Sequence, residues 1–252
     1  MEANELPDLG DPVKGRRRDC MKAEALVAER TTLESVIYDE LRKRIISLAY
    51  PPGQMISEND IAGEFGVSRT PVRQAFFRLA NDDLLQILPQ RGARISRLSI
   101  AKVNEAQFIR ESLEISAFAE VARIWNPKNR ACRRAEIDIL SLIDEQKHAV
   151  VAHDCLLFTK LDEDYHNTII KLSGNMTLLS IVNDMRAHLN RVRYLELQEA
   201  HHEEAAIIHH QEIFDAIRAN DVVATADRLR IHLKMLEEFR AEIFERNAAM
   251  FA

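Results

Sequence analysis

Apolar residues recur along most of this chain at helical spacing. Leu33, Ile37, Leu41, Ile45 and Leu48 fall on one stripe, which Tyr50-Pro51-Pro52-Gly53 brings to an end. A short helix follows over Glu58–Phe65, opened by Ser57 three residues before Asp60 and broken at Gly66. Ser68 is a second N-cap candidate, and Pro71 sits in the first turn of the next helix, where its missing N–H costs nothing. Val72, Phe76 and Leu79 then give that helix one buried stripe, with Arg69, Thr70, Arg73 and Gln74 on its other faces. Two short helices about a tight turn, with donors at the start of the second, predict a helix-turn-helix. The strand-like runs Leu84–Leu88 and Ala93–Ser96, joined by Pro89-Gln90-Arg91-Gly92, predict a two-stranded wing with a basic tip.

Beyond Ser99–Ile100, glycine occurs once, at Gly174, and the pattern is helical throughout. Val103, Ala106, Ile109, Leu113, Ala117, Val121 and Ile124 mark a long helix that Asn126-Pro127 stops. Residues 130–150 give a second, striped by Ile137, Leu140 and Ile143; Cys155–Leu172 gives a third, ended by Gly174-Asn175. Leu178, Ile181, Met185, Leu189 and Val192 stripe a fourth, and Glu199–Glu204 reads as a charged connection. Ala205–Asn220 and Val222–Asn247 are the last two. The fold class expected is mostly α: an N-terminal winged helix-turn-helix over 31–98, then an antiparallel all-helical bundle of about six helices over 99–247. Residues 1–30 have no sustained period and read as a disordered tail, with Arg16-Arg17-Arg18 a solvated charge run.

Composition narrows the class. The chain has 252 residues, 46% hydrophobic and 29% charged, with only 7 Gly and 7 Pro, which suits a helical soluble protein of two modest domains. No apolar run approaches the roughly 20 residues of a spanning helix, and the acidic start is no signal peptide. Cys20, Cys132 and Cys155 are odd in number and far apart, so a reducing cytoplasm is expected. The net charge of −6 is unevenly spread. From Phe65 to Arg97, six arginines stand against Asp82 and Asp83, a local excess of four positive charges. A local patch, not the whole-chain sum, governs attraction to phosphate, so the balance is compatible with DNA binding without arguing for it.

One constellation in the bundle carries chemistry. Asp162 and His166 stand four apart and flank the stripe of Leu161, Tyr165, Ile169 and Leu172. His210 is in phase with Ile213, Phe214 and Ile217, leaving its neighbour His209 nearer the solvent; His232 is in phase with Leu229, Leu236 and Phe239. One Asp and three inward His from three helices suit a metal of mixed O and N ligation. The competing reading is a set of ordinary hydrogen-bonded core histidines. His148, His153, His188, His201 and His202 read as surface or incidental.

These patterns resemble a known family. Ile56-Ser57-Glu58…Ile61-Ala62…Phe65-Gly66-Val67-Ser68-Arg69-Thr70-Pro71-Val72-Arg73-Gln74-Ala75 and the wing Leu88-Pro89-Gln90-Arg91-Gly92-Ala93 resemble the DNA-binding domain of GntR-family bacterial transcription regulators. Asp83 stands where that family usually has Gly, and Asn59 where some FadR-like members have Arg. Residues 100–240 resemble the FCD ligand-binding domain of FadR-type members. Asp162-Glu163-Asp164-Tyr165-His166, Ser173-Gly174-Asn175, His210-x-x-Ile213-x-x-Ala216, His232-Leu233 and the pair Arg110-x-x-x-Glu114 match its metal-binding pattern.

The resemblance implies a regulator, expected to act as a homodimer on operator DNA. Ser68, Arg69, Thr70 and Arg73 are expected in the major groove, and Arg91 with Gly92 at the wing in the minor groove. It implies a divalent metal (Zn, Ni or Mn) on Asp162, His166, His210 and His232, and a small organic-acid effector held by the metal and by Arg110. For Arg110, a surface or inter-helix salt bridge with Glu114 competes. Two other functions compete: a metal-free sensor of an acyl or sugar-acid ligand, and a metal-dependent hydrolase. No further acid–base pair is legible to support the hydrolase.

Overall fold

A computed structural model describes residues 32–200, 202–235 and 237–252. The tail 1–30, with Arg16–Arg18 and Cys20, lies outside them, as do the side chains of His188, His201, Leu236 and Phe239.

Helix α1 (Leu33–Ile46) starts at Thr32, whose Oγ1 accepts from the Ser35 N–H at 3.2 Å. Ile37, Leu41 and Ile45 are buried as the stripe requires. Leu48 leaves it: its backbone turns into the left-handed region (φ 59°) and its side chain packs at the junction with the bundle. The short strand β1 (Met55–Ile56) leads to α2 (Glu58–Phe65), capped by Ser57 and ended by Gly66 at φ 65°. Helix α3 (Arg69–Asn81) buries Val72, Ala75, Phe76 and Leu79. Ser68 sits at its N-cap, but its hydroxyl makes no capping bond and stays exposed. Asp83 takes φ 56°, a conformation Asp tolerates better than most residues, so the turn forms without the usual Gly.

The wing is larger than the expected hairpin. Strands β2 (Leu85–Leu88) and β3 (Gly92–Ile95) pair antiparallel, and β1 adds to the far edge of β3, giving the order β1-β3-β2. Two residues carry too little alternation for β1 to be read from sequence; only its pairing defines it. Gly92 has an internal reason to be glycine. Its φ is +91°, and a Cβ there would stand 2.7 Å from the Ile56 carbonyl oxygen.

The bundle comprises α4 (Ile100–Ile124), α5 (Arg130–Val151), α6 (Cys155–Leu172), α7 (Met176–Ala200), α8 (Glu203–Arg218), α9 (Val222–Lys234) and the short α10 (Glu237–Arg246). Side chains cap most starts: Asn129 for α5, Asp154 for α6, Asn175 at the start of α7 and Asp221 for α9. Helix α5 turns a different face inward from the one expected: Ile137 (64% exposed) and Leu140 lie outward, while Cys132, Ala135, Ile139, Ile143 and Gln146 are buried. Helix α8 begins two residues earlier than expected, and the last predicted helix is two, α9 and α10. The core packs α5 on α6, α4 on α7 and α9, and α8 on α9.

Head and bundle meet through the linker 96–99. The Leu98 N–H donates to the Met250 carbonyl (3.0 Å) and its carbonyl accepts from the Ala252 N–H (2.8 Å). Arg191 on α7 donates to the Ser96 carbonyl at 2.6 Å, and Lys102 pairs with Asp83 at 2.5 Å. Gly92→Ala should therefore destabilise the head by about 1–3 kcal/mol, since both backbone strain and a steric clash oppose it. Denaturant unfolding of the purified protein checks this, with the helical signal of the bundle as internal control.

Candidate metal centre and DNA-facing surface

Asp162 and His166, one turn apart on α6, are fully buried, as is His210 on α8; His232 on α9 is 4% exposed. Their ligand atoms converge. His232 Nε2 lies 3.2 Å from His166 Nε2 and 3.3 Å from His210 Nε2. Asp162 Oδ1 is 3.3 Å from His210 Nε2, and its Oδ2 is 4.0 Å from His166 Nε2. All four residues offer atoms within 4.8 Å of one another.

The opposite ring edges fix the tautomers. His210 Nδ1 lies 2.8 Å from Gln146 Oε1, an acceptor, so Nδ1 carries the proton. His166 Nδ1 lies 2.6 Å from Glu114 Oε2, which calls for a proton there too. Both Nε2 atoms are then bare lone pairs aimed at each other's neighbourhood, and one His232 proton cannot satisfy both. Burial drives the same outcome. It pushes His166 down to about 4 and lowers His210 and His232, so the imidazoles are neutral at physiological pH. Neutral imidazoles with bare Nε2 and a carboxylate are the donor set a divalent cation needs, and the Nδ1 partners are the outer contacts that orient such ligands.

Around this centre lies a buried ionic cluster. Burial alone would raise Asp162, but Arg193, gripping it with two bonds of 2.5 Å, holds it well below the usual carboxylate range. Glu114 is likewise held low against its burial by Arg110 (2.8 Å), His166 and Arg186 (3.0 Å). Arg110 and Glu114 do form a salt bridge, but it is buried and lies within one helix, not on the surface or between helices, at the edge of the centre. Arg110 keeps one atom, Nη2, without a hydrogen-bond partner among the described residues. A cleft of about 20 Å³ opens beside it, lined among others by Arg110, Arg193, His232 and the paired Glu196 and Arg240. That volume holds little more than one water.

Sequence reasoning missed Gln146, Arg186 and Arg193. Their signal was present: Arg186, Asn190 and Arg193 recur at helical spacing on α7, and Gln146 is in phase with Ile139 and Ile143. All four are buried.

The other predicted residues lie apart, on the head. Ser68, Arg69, Thr70 and Arg73 are exposed at the start of α3, and Arg91 is exposed at the wing turn. Arg44 on α1 is tied to Glu40 (2.8 Å) and Glu64 (2.6 Å). No helix among the described residues is long and apolar enough to cross a membrane.

The family model for bacterial regulatory proteins of the gntR family matches residues 33–95, and the FCD domain model matches residues 105–235. The chain belongs to the GntR family and carries an FCD domain. It is a DNA-binding transcription regulator and not an enzyme, which removes the hydrolase alternative. An HTH-type regulator from an unstable DNA locus of Streptomyces ambofaciens is 33% identical, covering 84% of this chain and 90% of that one. The transcriptional repressor RspR of Escherichia coli K12 is 28% identical, covering 86% and 92%. In fold, the chain is similar to E. coli McbR/YncC, with a TM-score of 0.70 at 18% identity over 85% of this chain and 98% of that one.

Breaking the ionic cluster should be costly. Glu114→Gln strands Arg110 and Arg186 as unpaired buried cations, and about 3–5 kcal/mol of stability should be lost. Glu111, partly exposed and 3.8 Å from Arg230 and Lys234, is the control: Glu111→Gln should cost under about 1 kcal/mol in the same unfolding titration.

Proposed function

We propose that this GntR regulator binds a divalent cation on Asp162, His166, His210 and His232 and uses it, with Arg110, to sense a small carboxylic acid. The observation that carries the reading is the convergence of three imidazole Nε2 atoms and one carboxylate, with the Nδ1 atoms of His166 and His210 facing Glu114 and Gln146. Such an ion (Zn, Ni or Mn) supplies positive charge and coordination positions that an oxygen ligand completes. Charge balance favours an anion. Arg110, Arg186 and Arg193 already outnumber Asp162 and Glu114 in the buried cluster, and a divalent cation widens that excess. The unpartnered Arg110 Nη2 is a donor in waiting for a carboxylate.

An acid does not fit a cleft of about 20 Å³, so binding requires side chains to move. Helix α7 connects such movement to the head. It carries Arg186 and Arg193 to the ionic cluster and Arg191 to the Ser96 carbonyl of the linker. The protein acts in the bacterial cytoplasm as a homodimer on a pseudo-palindromic operator. There Ser68, Arg69, Thr70 and Arg73 face the major groove, and Arg91 and Gly92 the minor groove. Repression is the expected output, since the similar RspR is a repressor. One observation favours a metal-free sensor of an acyl or sugar acid instead: Arg193 already supplies a cation to Asp162.

Elemental analysis decides between them, and chelation of the purified protein should lower its melting temperature. His210→Ala should lose metal and His209→Ala should retain it; equal losses would sink the ligand assignment. In a calorimetric screen of small hydroxy and dicarboxylic acids, binding should vanish after chelation and weaken in Arg110→Ala with metal content intact. Arg73→Ala should weaken operator binding by about 1–3 kcal/mol in a gel-shift titration.

A further inference from the structure

An acidic residue sits among the cations that the head presents to DNA. Glu58 is the first residue of α2, and its carboxylate reaches across to α3. Its Oε2 accepts from Arg69 Nη2 at 2.8 Å, and its Oε1 lies 4.0 Å from Arg73 Nε. One carboxylate thus faces two arginines on successive turns of the helix that is to enter the major groove. Arg73 is held on its other side by the ring of Phe77, 5.6 Å from the guanidinium carbon. Both arginine side chains are otherwise about two-thirds exposed.

A carboxylate at a polyanion-binding surface opposes affinity. It repels phosphate directly, and it partly neutralises guanidiniums that would otherwise displace counterions. Nor does it repay this in stability, because exposed ion pairs contribute under about 1 kcal/mol. What it does supply is order. A free arginine has many rotamers, and fixing it on binding costs about 0.5–1.5 kcal/mol. A pinned arginine meets the correct base edge at lower cost and cannot swing to whichever phosphate is nearest.

We propose that Glu58 is a specificity-determining residue of the DNA-binding head: it positions Arg69 and Arg73 for base contacts and penalises sequence-independent contacts to phosphate. The inference rests on the placement of Arg69 and Arg73 in the major groove. It predicts opposite changes on two kinds of DNA, which a merely structural role does not produce.

The test uses the full-length, metal-loaded protein and two duplexes: one obtained by in vitro selection from a random-sequence library, the other its scrambled counterpart. Glu58→Gln removes the charge and keeps the side-chain length. It should bind the scrambled duplex several-fold more tightly, with a salt dependence steeper by up to about 0.9 per released counterion, while the ratio of selected to scrambled affinity falls. Glu58→Asp keeps the charge and shortens the reach. It should hold the scrambled-duplex affinity near the parent value and still lose discrimination. Melting curves of both variants should match the parent. Unchanged scrambled-duplex affinity in Glu58→Gln, or full discrimination in both variants, overturns the proposal. Arg69→Ala and Arg73→Ala serve as the reference. If they leave selected-duplex affinity intact, the placement itself fails; if they weaken it while the Glu58 variants behave as the parent, only this inference fails.

Discussion

Glu114 is fully buried and ionised, and the centre of the bundle is arranged around that fact. An isolated carboxylate in such a place would cost several kcal/mol, so it persists only where cations and donors surround it. Arg110 reaches it from its own helix, Arg186 from α7 and His166 from α6. Asp162, one turn before His166, repeats the arrangement with Arg193. Three helices are therefore held in register by charge pairing as well as by apolar contact. Removing Glu114 or Asp162 leaves buried arginines without their counter-charge.

The same pairing fixes the chemistry of the histidines. Glu114 and Gln146 occupy the outer nitrogens of His166 and His210, which turns their inner nitrogens into lone-pair donors. Tyr165 stacks on His210 with ring centroids 4.1 Å apart and donates its hydroxyl to the His210 carbonyl at 2.8 Å, fixing the ring plane. The rings are preorganised in a desolvated pocket.

Helix α7 ties this centre to the rest of the molecule. Its inward face carries Arg186 and Arg193, while Leu189, Val192 and Leu195 pack with Leu98, Ile243 and Phe251 at the linker. The later part of the stripe read from its sequence, Met185, Leu189 and Val192, is thus the junction face and not the centre-facing one, while Leu178 packs on the bundle core and Ile181 is exposed. A single helix with two functional faces shows only its apolar one to a periodicity argument.

Much was legible in the order of residues because local chemistry decides it. Ser57, Gly66 and Pro71 fix the boundaries of two short helices through capping, positive φ and a missing donor, whatever surrounds them. The spacing of Asp162 and His166 places both on one side of a helix, and the phase of His210 separates it from His209; burial agrees in each case. What sequence could not decide depends on partners distant in the chain. Strand β1 exists because Gly92 lets β3 approach the Ile56 carbonyl. The inward face of α5 is the one holding Gln146, because His210, 64 residues on, needs its oxygen. Arg193 is buried because Asp162 waits for it on another helix. A residue's own spacing announces which face it shares, but the sign of burial for a polar side chain is set by its counter-charge. That counter-charge arrives only when the helices pack.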